Sequence, residues 1–155
     1  MILMRIGFGA DHGGCALKDE LIKHVQSKGV QVTDFGTNDP SVSVDYPKYA
    51  QLVGTAVANR DVDLGVLCCG TGIGMSIAAN KIPGVRAALV HDVTTARLAK
   101  EHNNANILVM GGRLLAPALA FELLDIFLNS SFEARHQRRL DMVAELETSG
   151  RESPA

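Results

Sequence analysis

The residues best suited to chemistry in this sequence lie in VLCCGTGIGMSIAAN, positions 66–80. An apolar run over 64–67 reads as one buried strand. Gly70, Thr71, Gly72 and Gly74 then form a turn, and a small-residue helix leaves over 75–80. A glycine turn between a parallel strand and a helix points backbone N–H groups into one concavity, which suits an anion or a developing oxyanion. Cys69 stands where the strand ends, near the positive end of a helix dipole, the setting that lowers a cysteine pKa and yields a thiolate. The stretch therefore offers a base or nucleophile (Cys69), a hydroxyl beside it (Thr71) and amide donors at Gly70, Gly72 and Gly74. The plainer reading is that cysteines at strand ends are mostly inert packing. Cys68 fits that reading, because alternation along the strand sends the two thiols to opposite faces.

Other polar groups fall where strands are expected to end. Asp11-His12 is either loop polarity, with the aspartate bonding its own backbone, or a carboxylate for a hydroxyl beside an imidazole for an anion. His91 and Asp92 follow a fourth strand and Arg113 a fifth. His91 reads as a surface loop histidine. His102-Asn103 ends a helix, so it is either a C-terminal cap or a site element that requires that end to fold over the site. Arg135 and Arg139, spaced i, i+4 on a last helix with Arg138 beside them, are either a solvated basic patch or a cradle for a phosphate dianion.

These groups need a scaffold, and the chain alternates strand and helix to supply one. Strands are expected over 4–9, 30–35, 64–69, 85–90 and 106–110. The first helix sets Leu17, Leu21, Ile22 and Val25 against Lys18, Asp19, Lys23 and His24, and Gly29 stops it. A polar loop spans 36–44. Asp45 and Pro47 start a helix whose buried stripe is Tyr49, Leu52, Val53, Ala56 and Val57. Residues 81–84 read as a turn. Asp92 caps a helix over 93–101. Pro117 opens another that runs to Leu128, and a last helix spans about 135–147. Five strands interleaved with helices give a parallel sheet covered on both faces, with ligands at the carboxyl ends of the strands.

The sequence has 155 residues, enough for one domain over 1–147, followed by a short polar tail, 148–155, expected to fray. A net charge of −2 with no basic stripe argues against nucleic acid as a partner. No apolar run approaches membrane-spanning length, and the first ten residues lack the build of a signal peptide. Three cysteines, two adjacent, make no disulfide framework and suit a reducing compartment, the cytoplasm.

Six motifs together carry a resemblance: GADHGG (9–14), VDYP (44–47), CGTGIGMSIAANK (69–81), EHNNAN (101–106), MGGR (110–113) and RHQRR (135–139). Over nearly the whole chain the sequence resembles the type B ribose-5-phosphate isomerases, whose wider group includes the galactose-6-phosphate isomerase subunits. The resemblance implies a three-layer, Rossmann-like α/β/α fold with an extra C-terminal helix. It implies an aldose–ketose isomerase that needs no metal or nucleotide cofactor. His102 would help open the furanose ring. Cys69 would move a proton between adjacent carbons through a cis-enediolate held by the amides of the 70–74 turn. Thr71 would bond at the reacting end, Asp11 and Tyr46 would orient sugar hydroxyls, and Asn103 would hold the opened chain. His12, Arg113, Arg135 and Arg139 would bind phosphate. The resemblance also implies a homodimer, or a tetramer, whose sites mix two chains. A last helix with no strand to return to, carrying Leu140, Val143, Ala144 and Leu146, agrees with packing on a neighbour.

Some relatives use a glutamate six positions after the cysteine's place. Here the cysteine is present, and Met75 and Ser76 offer no carboxylate. Residues 88–101 and 110–115 stand closer to the galactose-6-phosphate branch, whereas His102-Asn103 and the arginine helix stand closer to the ribose branch. A six-carbon sugar phosphate (galactose or allose 6-phosphate) is therefore the alternative substrate. A nucleotide-binding module fits less well: Met75 stands where the dinucleotide fingerprint needs its third glycine, and no Gly-Lys-Ser/Thr follows. A redox dithiol at Cys68-Cys69 fits poorly, since adjacent cysteines face apart.

Overall fold

The structure is a computed structural model, which describes residues 3–149. The strands are β1 (Arg5–Ala10), β2 (Gln31–Asp34), β3 (Leu64–Cys69), β4 (Ala87–Leu89) and β5 (Ile107–Gly111). The helices are α1 (Cys15–Gln26), α2 (Tyr46–Ala58), α3 (Ile73–Ala79), α4 (Val93–Glu101), α5 (Pro117–Asn129) and α6 (Gln137–Ser149). All strand pairs are parallel, in the order β2-β1-β3-β5-β4. The expected five-stranded, three-layer α/β/α arrangement is therefore present.

The sheet separates two apolar layers. On one face, Leu17, Leu21 and Val25 of α1 meet Ala96 of α4, Leu123, Leu124 and Phe127 of α5, and the strand residues Ile6, Phe8, Val66 and Cys68. On the other, Tyr49, Val53 and Val57 of α2 and Met75 of α3 meet Leu67, Cys69, Ile107 and Val109. Period-2 alternation along a fully buried strand produces this division, and it puts Cys68 and Cys69 on opposite faces as expected. The helix after β1 thus covers one face and the helix after β3 the other. The two chain directions part between β1 and β3, and in parallel α/β sheets ligands bind at the carboxyl ends of the strands at such a parting.

Several local expectations are corrected. Lys18 lies not on a polar face but at 0% exposure, its Nζ donating to Asp34 at 2.8 Å and to Asp19 and Asn38 at 3.0 Å. A charge so far from water is tolerated because it is fully paired. His24 is half-buried, stacked on Phe121 at 4.5 Å between centroids and 2.8 Å from Asp125. Leu52 is exposed: at 3.6 residues per turn it lies roughly 100° from the centre of the stripe formed by Tyr49, Ala50, Val53, Ala56 and Val57. The last helix is interrupted. Arg135 belongs to a 3-10 turn, Ala134–His136, and α6 begins at Gln137, so Arg135 and Arg139 do not share the face of one α-helix. No residue of α6 is buried in the chain, and Leu146 is 70% exposed. α6 runs to Ser149, two residues into the expected tail, whose remainder lies outside the described residues.

Candidate active site

The pairing register aligns three strand ends. Ala10 pairs with Cys68 and Cys69 pairs with Gly111, so Asp11, Cys69 and Gly111 sit level across β1, β3 and β5. Backbone bonds lock this row: Asp11 N–H donates to Cys68 O at 3.3 Å, Gly112 N–H to Cys69 O at 2.8 Å and Arg113 N–H to Gly70 O at 2.9 Å. The strand tips approach so closely that a Cβ on Gly14 would collide with the Cys68 carbonyl, and one on Gly111 would lie 2.7 Å from Thr71 O. Only glycine fits at such contacts.

Cys69 is 5% exposed, and Gly72 N–H donates to its Sγ at 3.2 Å. Gly72 reaches that position with φ at +84°, in the left-handed region that glycine enters without steric cost. Thr71 is exposed beside it, its Oγ1 accepting from Ile73 N–H at 3.2 Å. Cys68, on the other face, is fully buried; burial pushes its thiol well above the ordinary range, and Cys69 next to it adds to the rise. Cys68 is held as an inert thiol.

Four further groups belong to this end of the sheet. Asp11 is almost fully buried and accepts from Gly13 N–H at 2.9 Å and Gly14 N–H at 3.1 Å, both on Oδ1. Those bonds shape the loop and leave Oδ2 outside them. His12 accepts from Val44 N–H on Nδ1 at 3.2 Å, which ties the 36–44 loop to the first strand's tip. The Tyr46 ring lies over Gly74, with its hydroxyl 2.8 Å from where a Cβ would stand. The Arg113 guanidinium covers Gly70, with Nη1 3.2 Å from the corresponding point.

The remaining expected site residues lie elsewhere. A helix between parallel strands runs back along the sheet, so α4 starts at the carboxyl edge with Asp92, which caps it through Thr95 N–H at 2.7 Å, and ends at the amino edge with His102. The length of β3, six residues at about 3.3 Å each, separates the two edges. The His102 ring packs tilted against His136, 4.4 Å between centroids and 37° between planes, in a cluster with Glu133. Glu133 N–H donates to Glu101 O at 2.9 Å, and the Glu133 carboxylate holds Arg135 through Nε at 2.9 Å and Nη2 at 2.8 Å. Burial pushes the His136 imidazole below its ordinary value, as do Arg135 and His102, against Glu133. Asn103 lines a groove of about 540 Å³ with Ile82, Val85, Leu140, Val143 and Leu146. Arg139 is exposed on α6. Among the described residues no hydrogen bond or ring contact joins this group to the Cys69 turn. Sequence reasoning gave no role to Glu133 or His136; His136 stands inside the arginine motif, and its spacing from Glu133, i to i+3, was the available signal.

Fold and site together define an α/β enzyme with a thiol at the parting of its sheet. The chain belongs to the ribose/galactose isomerase family, whose model matches residues 6–143. It is 42% identical over 146 residues to a ribose-5-phosphate isomerase B of Escherichia coli, covering 94% of this chain and 97% of that protein. A solved ribose-5-phosphate isomerase B of Clostridium thermocellum superposes with a TM-score of 0.92 at 43% identity, covering 95% of this chain and 99% of that one. The enzyme of the same name from Mycoplasma genitalium, solved with ribulose 5-phosphate bound, superposes with a TM-score of 0.90 at 40% identity over 96% of this chain and 99% of that one. None of the described helices is long and apolar enough to cross a membrane.

Proposed function

We propose that this enzyme interconverts ribose 5-phosphate and ribulose 5-phosphate, with Cys69 as the group that moves the proton. The observation that carries the reading is the row Asp11–Cys69–Gly111 at the carboxyl edge, with Gly72 N–H on the sulfur, in a chain whose relatives carry that activity in their names. Cys69 as thiolate takes the proton from the carbon beside the carbonyl of the opened sugar and returns it to the neighbouring carbon. Between the two steps, charge on the enediolate oxygens rests on the amides of the 70–74 turn, a preorganised environment that needs no rearrangement. Thr71 bonds at the reacting end. Asp11 through its outer oxygen and Tyr46 through its hydroxyl orient the sugar, and His12 and Arg113 take part in holding phosphate.

His102, Asn103, Arg135 and Arg139 complete the site from a second copy of the chain. Two observations support a homodimer built this way. His102 is a sheet's length from the Cys69 of its own chain. The exposed Val143 and Leu146, with half-buried Leu140, face a groove whose other wall is Ile82, Pro83 and Val85, an apolar surface suited to a neighbour. Three free cysteines, two of them adjacent, agree with a cytoplasmic setting. The test is turnover by EDTA-treated protein on ribose 5-phosphate, allose 6-phosphate and galactose 6-phosphate. Preference for ribose 5-phosphate is expected, a six-carbon preference would reassign the substrate, and no turnover on any would overturn the reading.

A further inference from the structure

Outside the Cys69 turn, one cluster of metal-ligating side chains stands out. His102, Glu133 and His136 each present one ligand atom, and the three atoms lie within 4.8 Å of one another. The backbone brings them together twice over: Glu133 N–H is bonded to Glu101 O beside His102, and His136 N–H to Glu133 O at 3.1 Å. The His136 side chain is 9% exposed, and its Nε2 is buried with no hydrogen-bond partner, 3.7 Å from Glu133 Oε2. A buried polar nitrogen without a partner is uncommon in a folded protein and calls for an explanation. Arg135 bonds Glu133 only through Oε2, so Oε1 is outside that pair.

We propose that His102, Glu133 and His136 form a binding site for a divalent transition ion of the Zn²⁺ class, and that the bound ion takes His102 out of the reaction. Two imidazoles and a carboxylate are a borderline donor set that suits Zn²⁺ and its neighbours and not Mg²⁺ or Ca²⁺, which take oxygen ligands. Bonds of about 2.0–2.2 Å in a tetrahedron place ligand atoms roughly 3.3–3.6 Å apart, so the widest pair needs to close by up to about 1.5 Å. Three protein ligands leave the fourth position open. The ion is not needed for turnover; it competes for the imidazole that the proposed function assigns to ring opening. The inhibitory half therefore rests on that assignment, whereas the binding half stands on the cluster alone.

The experiment titrates chelator-treated protein with Zn²⁺ against a chromogenic chelator, and repeats the titration with Glu133→Gln, His136→Gln and Cys69→Ser. Glu133 is partly exposed, so its variant keeps the test valid if His136→Gln fails to fold. One Zn²⁺ per chain is expected, with affinity at least about tenfold weaker in each cluster variant that folds, the floor set by the loss of a mere outer-shell partner. Cys69→Ser should bind like the parent. No Zn²⁺ binding, cluster variants that bind within tenfold of the parent, or loss in Cys69→Ser would each overturn the site. For the second half, saturating Zn²⁺ should stop turnover reversibly, and Glu133→Gln at the same free Zn²⁺ should keep most of its own metal-free rate. Full turnover with one Zn²⁺ bound overturns the inhibitory half. Absence of turnover in the metal-free parent counts instead against the proposed function, and the binding titration decides the site regardless.

Discussion

The two edges of the sheet hold their functional groups in different ways. At the carboxyl edge, Asp11, Cys69 and the residues after Gly111 are set by strand register and by backbone bonds between neighbouring strands. At the amino edge, His102, Arg135 and Arg139 hang from a helix end, a 3-10 turn and a helix with no buried residue. The first edge takes its groups and their supports from one chain's own sheet. The second presents cations, a histidine pair and apolar residues to whatever lies opposite. Under the proposed function the difference marks a division of labour: the thiol that must be positioned most closely sits on the sheet, while the groups assigned to a remote phosphate have a looser mount.

Four experiments press on that comparison. Cys69→Ala is expected to remove isomerisation altogether while Cys68→Ala keeps most of it, measured on folded proteins. Similar losses in both would mean that the carboxyl edge does not discriminate between the two faces of β3. Lys18→Met should loosen the firm edge, because Lys18 fastens α1 to the end of β2. The expected loss in a urea titration is about 2–3 kcal/mol, below the usual figure for breaking a buried ion pair because Asp34 reaches water. Burial pulls the Lys18 ammonium down, yet its bonds to Asp34 and Asp19 together lift it above the ordinary 10.5. Its stabilisation is thus complete below 10.5 and fades as pH climbs through the raised folded value, a fade that Lys18→Met should lack.

At the looser edge, Arg139→Ala should raise KM ten- to a hundredfold with little change in kcat, since a charged bond to phosphate worth roughly 1.5–3 kcal/mol is similar in ground and transition states. A fall in kcat alone would place Arg139 nearer the chemistry. The smallest signal comes from mixing Arg139→Ala chains with Cys69→Ala chains. If sites combine two chains, half of a statistical mixture is heterodimer and one of its two sites is intact, so at substrate well below the parent's KM, where Arg139→Ala homodimers turn over little, activity should recover to about a quarter of the parent's. Confirmed heterodimers without recovery would put Arg139 in its own chain's site.

Much of the carboxyl edge was legible in the sequence because its determinants are local. Strand alternation separated Cys68 from Cys69, the glycine turn marked the end of β3, and Asp92 was recognisable as a cap. What escaped depends on neighbours distant in the chain. Lys18 looks like a solvated helix residue until Asp34 of another strand is brought against it. Periodicity continues the last helix through Arg135, yet His136 turns inward against His102 and breaks it. The placing of β5 between β3 and β4, which brings Arg113 beside the Cys69 turn, follows from topology and leaves no trace in any local pattern.

The bond from Val44 to His12 has a consequence for the chemistry of recognition. An N–H can donate only to a ring nitrogen that carries a lone pair, so Nδ1 of His12 is bare and the proton sits on Nε2. In this tautomer His12 is a directed dipole with no net charge. A phosphate bound there, as the proposed function has it, feels a short-range, oriented contact that dissolved salt scarcely screens, whereas its attraction to exposed guanidiniums fades over about 10 Å at 0.1 M ionic strength. The loop that supplies Val44 thereby chooses which kind of force the tip of β1 exerts.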